Sequence, residues 1–140
     1  MDMADLANAS GWDLVGAARI YHHASAAFGF DRLRAASGSL LGADPYERQA
    51  IRFLVEDLMA EQSAIVRSVI ASNDRHKGCE SAESAQSLVK AWTGRRAAAA
   101  KAVTDLVDAI EQSGDGWSFA KLTIVNNAMR HLVATAQAGI

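Results

Sequence analysis

The chain has 140 residues, half of them apolar and 21% charged, with fourteen Lys and Arg against sixteen Asp and Glu for a net charge of -2. That balance excludes a disordered charged tail, and no basic stripe of the kind a nucleic-acid module carries is visible. Alanine supplies 29 residues and the aromatics only 9, with a single proline, so helix formers dominate and a β-sandwich, a barrel or a βαβ enzyme is disfavoured.

Residues 1–43 read as short helices. A lead-in over 1–9 stops at Ser10-Gly11, and a clearer helix begins at Asp13, a residue type suited to an N-cap. Leu14, Ala17, Ala18, Tyr21, Ser25 and Phe28 recur at the spacing of one helical face. Gly29 stands where a left-handed C-terminal residue is expected, and Phe30 to Ala36 continue as a short helix with Phe30 and Leu33 inward.

Asp44-Pro45-Tyr46-Glu47 is the sharpest local signal. Asp44 can cap free N–H groups, Pro45 lacks the N–H that the first helical position leaves unsatisfied, and Glu47 sits where a capping box places its acid. The helix it opens is expected over 44–73. Its inward stripe is Ile51, Leu54, Leu58, Ile65 and Val69, with Val55 and Gln62 beside it. Residues 74–83 read as a loop carrying Gly78. A second long helix is expected over 84–113, striped by Leu88, Trp92, Ala99, Val103, Leu106 and Ile110, with Gly94 inside it at a cost of about 1 kcal/mol relative to alanine. Ser113-Gly114-Asp115-Gly116 then turns the chain into a final helix over 117–138, striped by Leu122, Val125, Met129, Leu132 and Ala136. Two helices of about 28 residues, roughly 42 Å each at 1.5 Å per residue, bury their stripes against each other. The expected fold is all-α: an antiparallel helical bundle of about four to five helices, two of them long, in a single domain over 1–140.

The sequence carries no Gly-x-Gly-x-x-Gly, Walker loop or Gly-x-Ser-x-Gly, and no catalytic constellation emerges. His22 and His23 are adjacent, so on a helix they point about 100° apart and cannot ligate one metal from one face. Glu56, Asp57 and Glu61 form an acidic patch, but a di-iron site needs histidines beside facing acids, and the later helices offer Asp105, Asp108 and Glu111 with only His131. These acids read as a solvated face, with Arg52 four residues before Glu56 as an ion-pair partner.

Cys79 is the one cysteine, so it makes no internal disulfide, and a reducing, cytoplasmic setting is expected. Arg75, His76 and Lys77 beside it can lower a thiol pKa, yet without a resolving cysteine or a base it reads as an incidental loop residue. Arg95 and Arg96 can hold an anion, although a solvated pair is the commoner arrangement. Trp12 and Trp117 fall near helix starts, where exposure would suit an interface. The N-terminus lacks a secretory signal, and no apolar run of about 18 residues is present to span a membrane. Catalytic, cofactor-binding and metal-ligating residues are therefore expected to be absent, and neither nucleic acid nor membrane is expected as a partner.

Several stretches in order carry a family resemblance: Asp5-Leu6-Ala7, Ser10-Gly11-Trp12-Asp13-Leu14, Ala17-Ala18-Arg19-Ile20-Tyr21, Phe28-Gly29-Phe30-Asp31-Arg32-Leu33-Arg34 and Glu56-Asp57-Leu58-Met59-Ala60-Glu61-Gln62. Their order and spacing resemble the C-terminal helical region of the large bacterial NAD-specific glutamate dehydrogenases. The likeness is best over residues 4–73 and continues more weakly through Trp92 and Arg95/Arg96 into the last helix. The chain departs from the family pattern at Arg32, where a tryptophan is frequent, and at Ser63, where an arginine often follows the Asp-Leu…Gln pattern.

The resemblance implies a piece of a larger enzyme, with Met1 an introduced start. The parent would oxidise L-glutamate to 2-oxoglutarate and ammonia with NAD. The family's catalytic Lys and Asp and its Rossmann domain have no counterpart in these residues, so no site residue is carried over. The implied role is stabilising, oligomerising or regulatory, packed beside the rest of the parent chain or a neighbouring subunit. The alternative is a freestanding helical bundle that binds a protein partner or a small apolar ligand.

Overall fold

A computed structural model describes residues 14–40, 44–72 and 79–138. The expected lead-in helix over 1–9, the Asp13 cap and residues 74–78 of the 74–83 loop lie outside the described residues. Six α-helices follow in order, with no strand among the described residues: α1 Leu14–Phe28, α2 Phe30–Ser39, α3 Pro45–Ala71, α4 Ala82–Gly94, α5 Ala97–Gln112 and α6 Phe119–Gln137. The all-α bundle expected from composition and periodicity is present.

Local chemistry sets most of the boundaries. Gly29 separates α1 from α2 at φ 70° and ψ 32°, a left-handed conformation that costs a residue with a Cβ far more than glycine. The Asp44 carboxylate accepts hydrogen bonds from the Tyr46 and Glu47 amides at 2.9 and 3.1 Å, with Pro45 in the first turn. Ser81 and Ser84 form a reciprocal capping box at the start of α4. Gly114 and Gly116, at φ 78° and 77°, turn the chain between α5 and α6, and Ser118 Oγ caps α6 by accepting from the Lys121 amide at 3.2 Å.

The single long helix expected over 84–113 is corrected to two. Arg96 leaves the helical region at φ -126° and ψ 32°. An uninterrupted helix would bond the Arg96 amide to the Trp92 carbonyl. That carbonyl is taken instead by Arg96's own guanidinium, Nη1 donating at 3.0 Å, while the Arg96 amide turns to the Thr93 carbonyl at 3.0 Å. Gly94 weakens the helix at the same place.

The packing partners also differ from the simplest expectation. The long helix α3 packs chiefly on α6 rather than on the segment after the loop. Glu47, Ala50 and Ile51 lie beside Trp117–Phe119, Glu61 meets Arg130, and Ala64–Ala71 lie beside Val133–Gln137, so α3 and α6 run in the same direction. The α4–α5 segment makes this possible by carrying the chain back to the N-terminal end of α3. The short turn after α5 gives the antiparallel hairpin α5–α6. On its other side, α1 packs against α4: Phe28 meets Trp92 edge-on at 6.1 Å, and Arg19 Nη1 donates to the Cys79 carbonyl at 2.6 Å.

The core joins all six helices. The stripe predicted for α3 is buried as expected, including Gln62, and so are Leu122, Val125, Met129 and Leu132 of α6. On α1 the predicted Ala17, Ser25 and Phe28 are buried and Tyr21 packs at the edge of the core, but the face is shifted to include Ile20 and Ala24, which leaves Leu14 53% exposed and Ala18 in solvent. On α4 and α5, Val89 and Val107 take the central positions, and Leu88, Leu106 and Ile110 pack at the edge. None of the described helices is long and apolar enough to cross a membrane.

Candidate functional site

The residues singled out by type fall into structural roles. His22 is exposed and His23 half-buried, their rings edge-on at 5.3 Å. Among the described residues no group of three or more His, Cys, Asp or Glu side chains is placed to hold a metal ion. Glu56 and Asp57 face solvent, while Glu61 is partly buried and lies 3.7 Å from Arg130 Nε. Burial pushes the Glu61 carboxyl above its ordinary range, opposed by Arg130 and reinforced by Asp57. On α5, Asp105 is held by Lys101, whereas Asp108 and Glu111 both meet Arg32 of α2, at 3.1 and 3.4 Å. The acids that a di-iron site would have used thus serve as ion-pair partners. His131 is exposed.

Cys79 does lie in the loop before α4, but it is a buried residue rather than an incidental exposed one. It is buried among the apolar side chains, and its carbonyl is the acceptor for Arg19. Arg75, His76 and Lys77 lie outside the described residues, as does Trp12. Arg95 is exposed, but Arg96 folds back so that its guanidinium carbon sits 4.4 Å from the centroid of the Trp92 ring. Burial lowers its pKa from the ordinary arginine value, and Arg95 adds to the effect. Trp117 is half-buried against the core rather than fully exposed.

The structure brings a different set of residues together. At the N-terminal ends of α3 and α6 a cleft of about 360 Å³ is lined by Leu40, Ala50, Ile51, Trp117 and Phe119, with Glu47 and Ser118 as its polar members. Tyr46, Ala50 and Phe53 are spaced i, i+4, i+7 and share one face of α3, so the apolar surface of the cleft continues outward along that helix. Tyr46 is 89% exposed, Phe53 59% and Phe119 46%. Exposed aromatics are a feature of protein-contact surfaces, because Tyr and Phe bury large apolar area at low entropic cost. Sequence reasoning missed this face. The i, i+4, i+7 spacing was the available signal, but the inward stripe of α3 dominates the periodicity there.

No curated protein and no solved structure matches the chain. The model of the family described as glutamate dehydrogenase, C-terminal, matches residues 1–131. That span takes in α1 to α5 and most of α6, including both helices of the cleft, and the chain belongs to the C-terminal family of the glutamate dehydrogenases.

Proposed function

We propose that this chain is the non-catalytic C-terminal part of a large NAD-dependent glutamate dehydrogenase, and that it stabilises, assembles or regulates that enzyme. The parent reaction is then the oxidative deamination of L-glutamate to 2-oxoglutarate and ammonia, carried out in the cytoplasm with NAD bound by another part of the parent chain. The observation that carries this reading is the family match over residues 1–131. The exposed aromatic face of Tyr46, Phe53 and Phe119 supports a docking role, because an unpartnered apolar surface gains free energy when another part of the enzyme covers it.

The test has two arms. The isolated chain is titrated with NAD; no binding is expected, and a micromolar dissociation constant would overturn the claim that it is catalytically silent. The parent enzyme carrying Tyr46→Ser with Phe53→Ser is then compared with the unaltered parent. A lower melting temperature or a changed oligomeric state is expected, and identical behaviour in both would remove the docking role.

The cleft beside Trp117 favours one second reading, a freestanding bundle that takes a protein partner or a small apolar ligand. The genomic reading frame separates the two, because continuation upstream into a Gly-rich Rossmann segment supports only the first.

A further inference from the structure

The side of α3 turned away from the core carries a pattern with its own symmetry. Tyr46, Phe53 and Ala60 recur at intervals of seven residues, and seven residues bring a helix back to within about 20° of its starting direction. All three are exposed. Arg52 and Glu56 are exposed as well, and they lie about 100° and 60° round the helix from Phe53, on the same side of it.

The Arg52–Glu56 ion pair expected within the helix is not formed. Neither side chain makes an ion pair among the described residues. Base before acid is the weaker order for a pair four residues apart on one helix. The face thus presents an apolar stripe beside two opposite charges that have no partner.

A second copy of α3 running antiparallel satisfies both. With a two-fold axis at Phe53, the two Phe53 rings meet on the axis. Tyr46 of each copy is then level with Ala60 of the other, where a small side chain leaves room for the ring. The same two-fold sets like flanks against each other, so Arg52 faces the flank that carries Glu56 of the second copy. The two are offset by two residues, about 3 Å along the helix at about 1.5 Å per residue, which an arginine side chain spans. Symmetry makes this pair twice. A parallel arrangement brings opposite flanks together, and neither charge meets its complement.

We propose that this face of α3 pairs with the same face of a second copy of the chain, as an antiparallel two-fold dimer. The proposal rests on the docking role given to Tyr46 and Phe53, and it names the partner.

Sedimentation equilibrium of the 140-residue chain should show a concentration-dependent dimer that weakens as salt is raised. Arg52→Glu and Glu56→Arg each place two like-charge contacts across the axis, and each should weaken the dimer by at least about tenfold. Mixing the two variants in equal amounts restores both attractive pairs in the mixed dimer. The mixture should therefore associate at least about tenfold more tightly than either variant alone. An ion pair inside one chain cannot give that rescue. Both positions are exposed, and the unaltered chain is read independently of the variants. A chain that stays monomeric up to about 1 mM, or a mixture no tighter than its components, would overturn the second copy as partner. If the parent enzyme carrying Tyr46→Ser with Phe53→Ser still melts or assembles differently in that case, the face belongs to another part of the parent. The docking role then survives without this dimer.

Discussion

The indole N–H of Trp92 donates to Ser68 Oγ at 3.0 Å, tying the end of α4 to the last turns of α3. Trp92 is fully buried, with Phe28 against its edge and Arg96 over its face. Removing the Ser68 hydroxyl leaves a buried indole donor without a partner, and that penalty is the desolvation cost of the donor rather than the small net value of a hydrogen bond. Ser68→Ala should therefore destabilise the chain by about 1–3 kcal/mol, read as a lower urea midpoint with an unchanged slope. A change below about 0.5 kcal/mol would mean that the indole reaches another acceptor.

Gly29 and Gly38 sit in the same short stretch and should respond in opposite directions. At Gly29 the backbone is left-handed, and an added Cβ would meet Arg32 Nε at 3.0 Å. Gly29→Ala should cost at least about 1–2 kcal/mol from the backbone alone. Gly38 lies in the last turn of α2, where an added Cβ meets nothing within 4 Å. Gly38→Ala should stabilise by up to about 1 kcal/mol, because alanine has less freedom to lose on folding. Thermal melts of the two variants beside the parent check both signs.

Much of this architecture was legible wherever the deciding interaction is local. The Asp44-Pro45 start of α3 and the break at Gly29 involve atoms within a few residues of each other, so residue type was enough. The break at Arg96 was not legible, because it depends on a side chain competing with the backbone for the Trp92 carbonyl while lying on a buried ring. The shared direction of α3 and α6 was hidden for a related reason: it follows from where α4 and α5 return the chain, and periodicity carries no record of that path. On α1 the pattern placed Ala17, Ser25 and Phe28 correctly but set the face slightly off, including the exposed Leu14 and Ala18 and omitting the buried Ile20 and Ala24. The candidate cleft needed three-dimensional information for Trp117 and Phe119, whereas its Tyr46–Phe53 flank was open to a spacing argument.

Glu61 gives a pH signature of defined sign. Its folded-state pKa is raised, with burial as the largest cause, so the folded protein holds the proton more tightly than the unfolded chain does. The stability linked to this proton is fully present below the unfolded value and is lost as pH rises through the folded value. Glu61→Gln removes that loss. The stability of Glu61→Gln relative to the parent should then increase between pH 4 and pH 7, measured by urea unfolding at each pH. A relative stability that falls over this interval would show that the Arg130 pairing outweighs burial.

Arg32 joins α2 to α5 through Asp108 and Glu111, but both ends of each pair are exposed by a third or more. Solvent screening keeps such pairs small. Arg32→Gln should cost no more than about 1 kcal/mol, and the difference from the parent should shrink at about 1 M salt, where the Debye length falls to roughly 3 Å. A double-mutant cycle with Asp108→Asn isolates the pair. A coupling well above about 1 kcal/mol would show that the network acts as a unit rather than as separate surface contacts.

The alanine excess separates into two physical uses at Ala17 and Ala18. Ala17 has no exposed surface and lies in the shared core, whereas its neighbour Ala18 is in solvent. At Ala17 the small side chain permits close helix packing, so Ala17→Leu should overpack the core and cost about 1–3 kcal/mol. At Ala18 alanine contributes only helix propensity, which leucine nearly matches, so Ala18→Leu should stay within about 0.5 kcal/mol of the parent. The contrast is read from two chemical denaturation curves on variants of identical composition. Equal effects at the two positions would place the buried face of α1 one residue away from Ala17, Ile20, Ala24 and Phe28. The Phe28–Trp92 contact that joins α1 to α4 would then have to be redrawn as well.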